Sequence, residues 1–407
     1  MKTLCFVVPE FPSVSATFVT TQIIGAKQQG YHVYVLTDKF EDLEQASQRD
    51  LIESHAIFNN IIEKNYKIPK SRFKHLLLGM FYIVKYFKYW SRSSKVSIKH
   101  RFLNWPYMIN FYKKLRHTDV FHVQFALGGT GIAEMKDIGL IKAKLITTFH
   151  GHDAHFKNRH VLKYLCNSYS TLFKVSDYVT VNTPFLKTQV IKLGCPKERL
   201  KVIPMAIDIA YFKPESIKEL PVGNTVKLIS IGRLIEFKGF EYAIQTVKLL
   251  VDKGVDVSYT IIGEGNLFNA LQKQVQSLKL QNHVTLVGKK SQEFIKQALE
   301  RSHIYLMSSI TDRTGRCETQ GVVSAEAQAM GLPVIAFNSG GVPYTFHDRE
   351  TGILVPEKDV EAFAQATLKL ISHPDRYQLM SKQAREYAVA NFSHGQMAKR
   401  FSKLYES

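Results

Sequence analysis

Glu318-Thr-Gln-Gly-Val-Val-Ser-Ala-Glu-Ala-Gln-Ala-Met-Gly-Leu-Pro-Val334 is the stretch that decides the fold. Val322–Met330 contains no helix breaker and reads as a helix, and Gly331 closes it. Pro333–Ala336 follows at once as a short apolar run of strand type. A helix delivered by a glycine turn into a buried strand is the repeating unit of an α/β sheet with parallel strands.

The same alternation extends outward in both directions. Upstream, strands are expected at Val226–Ile231, Ser258–Ile262, Val284–Val287 and Ile304–Met307. Helices are expected between them at Gly239–Asp252, Leu267–Leu278 and Gln292–Glu300. Further upstream the periodicity lapses from Met205 to Val222, where Pro204, Pro214, Pro221 and Gly223 cluster. Before that break a first series appears. Strands read at Thr3–Val8, Tyr31–Thr37, Val120–Val123, Lys144–Phe149, Tyr178–Val181 and Lys201–Ile203, with a helix at Ala16–Gln29. From Pro374 to Ser407 the pattern is helical only. The expectation is two facing Rossmann-like domains, residues 1–205 and 206–375, with helices 376–407 crossing back to the first. A chain of 407 residues suits two domains of about 150–200 residues each.

Composition narrows the classes further. Apolar residues make up 45% of the chain, as in a folded globular protein. No charge-free apolar run reaches the ~18 residues of a membrane span. Pro9, Glu10 and Pro12 interrupt the apolar stretch after Lys2, which does not read as an export signal. The four cysteines form no Cys-x-x-Cys pair and have no zinc-ligand spacing, so free thiols in a reducing, cytoplasmic compartment are expected.

Several residues stand where ligands are bound in such folds. Gly321 lets the backbone approach a ligand. The helix starting near Val322 turns free N–H groups and its positive dipole end outward, which suits a diphosphate. Glu318 can accept hydrogen bonds from sugar hydroxyls, and Glu326 a bidentate pair from ribose hydroxyls. Either glutamate alone also reads as a solvent-facing side chain; the spacing with Gly321 and Gly331 favours a site. Arg233 and Lys238 flank a loop after a strand, where two cations can neutralise a leaving diphosphate. Gly263 and Gly265 lack the third glycine of a dinucleotide fingerprint and equally suit a tight strand-to-helix turn. His150 and Asp153, in Thr148-Phe-His-Gly-His-Asp153, follow a buried strand at its C-terminal end, where α/β sheets bind ligands.

Glu318 and Glu326 form the E-x7-E motif that resembles retaining GT-B glycosyltransferases of family 4. Ser230-Ile-Gly-Arg233 with Lys238-Gly239, Ile262-Gly-Glu-Gly265, Val287-Gly288, Ser339-Gly-Gly-Val-Pro343 and Gly352-Ile-Leu-Val-Pro356 match further segments of that family in order. The Gln320–Gln328 variant most resembles exopolysaccharide enzymes of the colanic-acid or amylovoran type. The resemblance implies a nucleotide diphosphate sugar as donor, a hexose transferred with retention, and neither metal nor further cofactor. It implies that Glu318 holds the donor sugar, Arg233 and Lys238 the diphosphate, and Glu326 the ribose. Gly263, Gly321, Val322 and the base-positioning Gly288 turn complete the donor site. His150 contacts the donor sugar from the first domain, with Asp153 in the same loop. The Pro9–Phe18 segment resembles an acceptor-side loop but has Ala16 in place of the usual glutamate, and Tyr344 replaces another glutamate. A sugar-nucleotide epimerase of the same fold is the alternative, separable by the mass of the product.

The net charge of +19 calls for an acidic partner. Residues 61–117 hold fourteen Lys and Arg against one acid, Glu63, interleaved with aromatics including Trp90 and Trp105. A nucleic-acid-binding surface, a solvated helical face and a membrane-surface patch all fit this composition. The patch fits best with a glycan or lipid-linked acceptor. It places the protein on the inner face of the cytoplasmic membrane, held by charge, with no nucleic acid as partner.

Overall fold

The computed structural model describes residues 1–12, 17–41, 49–92 and 97–407. Ala16 and residues 93–96 of the basic stretch lie outside these. The chain divides into two units: Met1–Val181, Lys187–Ile203 and Ala398–Ser407 form the first, Asn182–Leu186 and Pro204–Met397 the second.

The first unit is built on a seven-stranded parallel sheet. Its strands are β1 (Thr3–Phe11), β2 (His32–Phe40), β3 (Ile61–Glu63), β4 (Val120–Gln124), β5 (Lys144–Phe149), β6 (Tyr178–Val181) and β7 (Leu200–Val202). They lie in the order β3-β2-β1-β4-β5-β6-β7. Leu4–Val8 of β1 and Leu145–Phe149 of β5 are buried on both faces, because helices cover both sides of an all-parallel sheet. The order reverses between β1 and β4. At that reversal the backbone leaves the sheet in opposite directions and opens a crevice at the strands' C-terminal ends.

The second unit repeats the plan with six parallel strands: β8 (Val226–Ile231), β9 (Val257–Ile262), β10 (Val284–Leu286), β11 (Ile304–Met307), β12 (Val334–Phe337) and β13 (Gly352–Val355). Their order is β10-β9-β8-β11-β12-β13, with the reversal between β8 and β11. Two apolar layers sandwich this sheet. On one side the Phe240–Asp252 helix buries Phe240, Ala243, Ile244, Val247 and Leu250, the stripe that a 3.6-residue period lays along one face. On the other side Ala325, Ala329 and Met330 meet Ala388 and Phe392.

Two strands escape the sequence reading. β3 and β13 are edge strands of three and four residues. Pairing to β2 and β12 makes them strands, and so few residues carry no period of their own. The C-terminus also runs differently from the expected 376–407 crossing. The Pro374–Phe392 helix belongs to the second unit: the Tyr377 hydroxyl donates to the His303 carbonyl at 2.9 Å and Ser381 to that of Gly331 at 2.6 Å. Arg385 donates to the carbonyls of Ile209, Phe212 and Ala329. Only Ala398–Ser407 belongs to the first unit, where Tyr405 Oη bonds His122 Nδ1 at 2.8 Å and Lys2 pairs with Glu406 at 2.9 Å. Among the described residues no helix is long and apolar enough to cross a membrane.

Candidate active site

The second unit gathers most of the expected residues at its β8/β11 reversal. β8 ends at Ile231, and a short turn, Glu236–Lys238, brings Lys238 back over the sheet's C-terminal edge. Ser308, just beyond β11, holds that turn by donating to the Lys238 carbonyl at 3.0 Å. Lys238 forms an ion pair with Glu318, both side chains being about 15% exposed. Burial works against the Glu318 charge, but the Lys238 ammonium and the Thr319 and Gly321 N–H groups outweigh it. The carboxyl is held below its ordinary range and is ionised, hence able only to accept hydrogen bonds.

The Glu318–Gly321 loop is itself pinned. Gln320 is buried, accepts from Met205 N at 2.8 Å and donates to Met205 O at 3.0 Å. Gly341 N donates to the Glu318 carbonyl at 2.7 Å. Gly321 then enters the helix left-handed, with φ of 73°. A Cβ there would lie 2.7 Å from Met307 Cε, the end of a flexible side chain that can move aside, so it is the backbone conformation that favours glycine. The helix runs Val322–Ala329. Glu326 projects from it half-buried and makes no side-chain hydrogen bond among the described residues. Burial pushes its carboxyl up to about 8.

The remaining expected donor-site residues resolve into two kinds. Arg233 is exposed and makes no ion pair among the described residues. Gly263 is structural as well as local to the site. Its N–H donates to the Gly288 carbonyl at 3.0 Å, and a Cβ would fall 1.8 Å from the Gly232 carbonyl oxygen. The loops after β8, β9 and β10 are therefore in backbone contact, which only glycine permits at 263. Gly288, with φ of 72°, has open space where a Cβ would stand. Tyr344, the departure from the family pattern, is exposed on the Val342–Tyr344 turn.

His150 and Asp153 lie in the first unit, at the end of β5. Asp153 is a buried brace. Its Oδ1 accepts from His150 N and Gly151 N, both at 3.0 Å, and its Oδ2 from Ala126 N at 3.1 Å. With both oxygens so engaged, its geometry fits holding the loop in shape. Burial raises its carboxyl above the ordinary range, and those three N–H groups work against the rise. His150 is held neutral: burial lowers it to about 3. Its Nε2–H donates to Gln124 Oε1 at 2.8 Å, and its ring lies between Phe18 and Phe125 at 4.6 and 4.7 Å. Phe125 itself is left-handed, with φ of 67°, costly for an aromatic residue. A cavity of about 300 Å³ opens beside it at the β1/β4 reversal, lined by Val8, Glu10, Phe11, Phe125, Leu127 and Asp153 among others.

Gln124 and Phe125 escaped the sequence reading, and Phe18 and Gln320 entered it only as members of the Pro9–Phe18 and Gln320–Gln328 segments. Gln124 ends β4 at the strand edge where polar residues matter, a positional signal that was available. The contacts of the other three with His150 and Met205 are visible only in the structure.

Comparison with known proteins gives the family and the fold. The family description "Glycosyltransferase Family 4" matches residues 15–211, and "Glycosyl transferases group 1" matches residues 212–387. The amylovoran biosynthesis glycosyltransferase AmsK of Erwinia amylovora is 29% identical over 388 residues, 90% of each chain. The predicted colanic acid biosynthesis glycosyltransferase WcaL of Escherichia coli K12 is 30% identical over 291 residues, 71% of this chain and 70% of its own. Among solved structures, Anabaena HepE in complex with UDP superposes with a TM-score of 0.75 at 16% identity, over the whole of both chains.

Proposed function

Because the chain belongs to the family 4, group 1 glycosyltransferases and has their GT-B fold of two Rossmann-like units, we propose that it is a retaining hexosyltransferase of exopolysaccharide assembly. It takes the sugar from a nucleotide diphosphate donor and passes it to a glycan or lipid-linked acceptor, on the inner face of the cytoplasmic membrane. The observation that carries the donor reading is Glu326: a half-buried carboxyl with no side-chain hydrogen bond among the described residues, on the helix that follows the loop of the Lys238-paired Glu318. Ribose hydroxyls are donors of the right number and spacing for it. The names of AmsK and WcaL support the polysaccharide setting, and UDP bound to HepE supports a nucleotide of that class.

In this reading Glu318, ionised, accepts from donor-sugar hydroxyls and fixes the ring. Lys238 has three N–H donors, so it can keep Glu318 and still reach a phosphate oxygen. Arg233 is exposed and free to fold onto the diphosphate. The bond from the anomeric carbon to the diphosphate breaks, the acceptor oxygen bonds to the same face of that carbon, and its proton passes to the leaving phosphate. Negative charge grows on the diphosphate as the bond breaks, and the two cations and the Val322 helix end stabilise that charge. His150, neutral and fixed by Gln124, is the sugar contact of the first unit, with Asp153 shaping its loop. No side chain is required as base, and neither metal nor further cofactor has a part.

The test is a panel of UDP- and GDP-sugars incubated with the enzyme, with slow donor hydrolysis followed by nucleotide release. One donor turned over, giving product of unchanged anomeric configuration by proton NMR, supports the reading. An interconverted nucleotide sugar of unchanged mass would make the protein an epimerase instead.

A further inference from the structure

The Arg72–Lys85 helix of the first unit carries two apolar faces. One is packed. Gly79 is buried beside Tyr107, the Tyr82 ring meets the Tyr107 ring edge-on at 5.4 Å, and the Tyr107 hydroxyl donates to the His75 carbonyl at 2.6 Å. The other face is bare. Phe73, Leu76, Leu77, Met80, Phe81 and Val84 are all exposed, Phe73 by 71% and Val84 by 77%. At 3.6 residues per turn these six side chains fall in one arc of roughly 140°. The same geometry puts Arg72 on one border of the arc and Lys74 and Lys85 on the other. Among the described residues none of Arg72, Lys74, Lys85 or Lys88 is in an ion pair.

A stripe of large apolar side chains in water is unfavourable and marks a surface meant to be covered. Its borders say by what. The cations have no ion-pair partner among the described residues, Lys85 resting over the Phe81 and Tyr86 rings, and they sit in a stretch of fourteen basic residues against one acid, so the covering surface is anionic. Nucleic acid would match the cations and leave the stripe wet. A bilayer with anionic lipid matches both: apolar side chains enter the acyl boundary while Lys and Arg meet headgroup phosphates. Fourteen residues of helix are about 21 Å long, short of the ~30 Å hydrocarbon core, so the helix lies in the plane of the interface.

We propose that the Arg72–Lys85 helix is an in-plane anchor whose Phe73–Val84 face inserts into anionic lipid. Charge brings the protein to the surface; apolar insertion keeps it there. This deepens the membrane-side acceptor reading and rests on it for its purpose. Its test does not depend on transfer activity.

The full chain is mixed with vesicles of phosphatidylcholine and phosphatidylglycerol in equal parts and sedimented at physiological salt and at about 1 M salt, where the Debye length falls to about 3 Å. Insertion predicts that at least half of the bound protein stays bound at high salt. Phe73→Ser, Leu77→Ser, Phe81→Ser and Val84→Ser together should remove the salt-resistant fraction, and all four side chains are exposed, so the fold should survive. An unchanged thermal transition of the first unit by scanning calorimetry checks this. Independently, the indole introduced by Val84→Trp should be quenched by brominated acyl chains. Complete release of the wild type by salt, or an indole at position 84 that stays unquenched, overturns insertion and leaves a charge-only membrane reading standing. No binding to any vesicle overturns both, as does self-association through this face in place of lipid. Nucleotide binding in any of these cases leaves the transferase reading intact.

Discussion

Glu326 and Glu318 have the same chemistry and opposite electrostatic settings. Glu318 has a lysine and two N–H groups and stays ionised; Glu326 has only burial, which raises it to about 8. At neutral pH the unliganded Glu326 is therefore mostly protonated. The folded protein binds this proton more tightly than the unfolded chain does. Its contribution to stability is full below the unfolded value and is lost as pH rises through about 8. Ribose hydroxyls favour the carboxylate, so nucleotide binding should expel the proton. Affinity should rise with pH up to about 8 and then level. Calorimetry near neutral pH in two buffers of different ionisation enthalpy should detect proton release that Glu326→Gln lacks. Glu326→Ala should weaken the nucleotide by about ten- to hundredfold, since hydrogen bonds to a charged group contribute about 1.5–3 kcal/mol. Unchanged affinity in the folded variant would remove Glu326 from the site. Arg233→Ala and Lys238→Ala should lower kcat more than they weaken donor binding, because leaving-group charge grows on the way to the transition state. Lys238→Ala should in addition destabilise the second unit by roughly 3 kcal/mol, having left Glu318 buried without its cation. Arg233→Ala, at an exposed position, should leave stability unchanged; equal melting of the two variants would contradict the pairing.

At the level of elements, the strand ends are what the site is made of. The β8, β9 and β10 loops touch backbone to backbone at Gly232, Gly263 and Gly288, and the two positive-φ glycines differ sharply in surroundings. Gly288→Ala meets only the left-handed backbone penalty of about 1–2 kcal/mol. Gly263→Ala must also push apart the β8 and β9 loops, and should cost roughly 2 kcal/mol more and abolish nucleotide binding. Urea denaturation of both variants measures the difference, and equal midpoints would show the loops to be looser than described. Sequence spacing located these glycines but could not rank them, because the clash partner of Gly263 is a carbonyl 31 positions away. The two edge strands were illegible for a related reason: β3 and β13 exist through their neighbours' hydrogen bonds.

For the whole molecule, the C-terminus is the telling case. Pro374–Ser407 reads as one helical tract, yet its first helix is committed to the second unit and its last ten residues to the first. Tyr405 is buried against His122 and Phe401, and its hydroxyl satisfies the fully buried His122 ring. Tyr405→Phe should cost the first unit about 1–3 kcal/mol by leaving His122 Nδ1 unpaired, while Nε2 keeps Thr148. Tyr405→Ala should cost about 3–5 kcal/mol through the added cavity. Scanning calorimetry should show the loss, and nucleotide affinity, proposed for the second unit, should be preserved. A parallel loss of nucleotide affinity would mean that the two effects are not separable.

What the sequence by itself determined is local or periodic. The alternation of apolar runs and helices, the break near Pro204, and the E-x7-E spacing each lie within a few dozen residues, where the chain's own geometry forces proximity. From them came two α/β units, the family and the residues proposed for the donor site. What only the tertiary structure decided is who neighbours whom. Lys238 meets Glu318 across 80 residues, Gln124 meets His150 between adjacent strands, and Glu326 is left with burial alone. The bare face of the Arg72–Lys85 helix belongs here too. In sequence its apolar residues look like core, because a helix with apolar residues all round has no readable inside. Packing settles the matter: Gly79 and Tyr82 take the side facing Tyr107, and the remaining face has nothing among the described residues of the first unit to cover it.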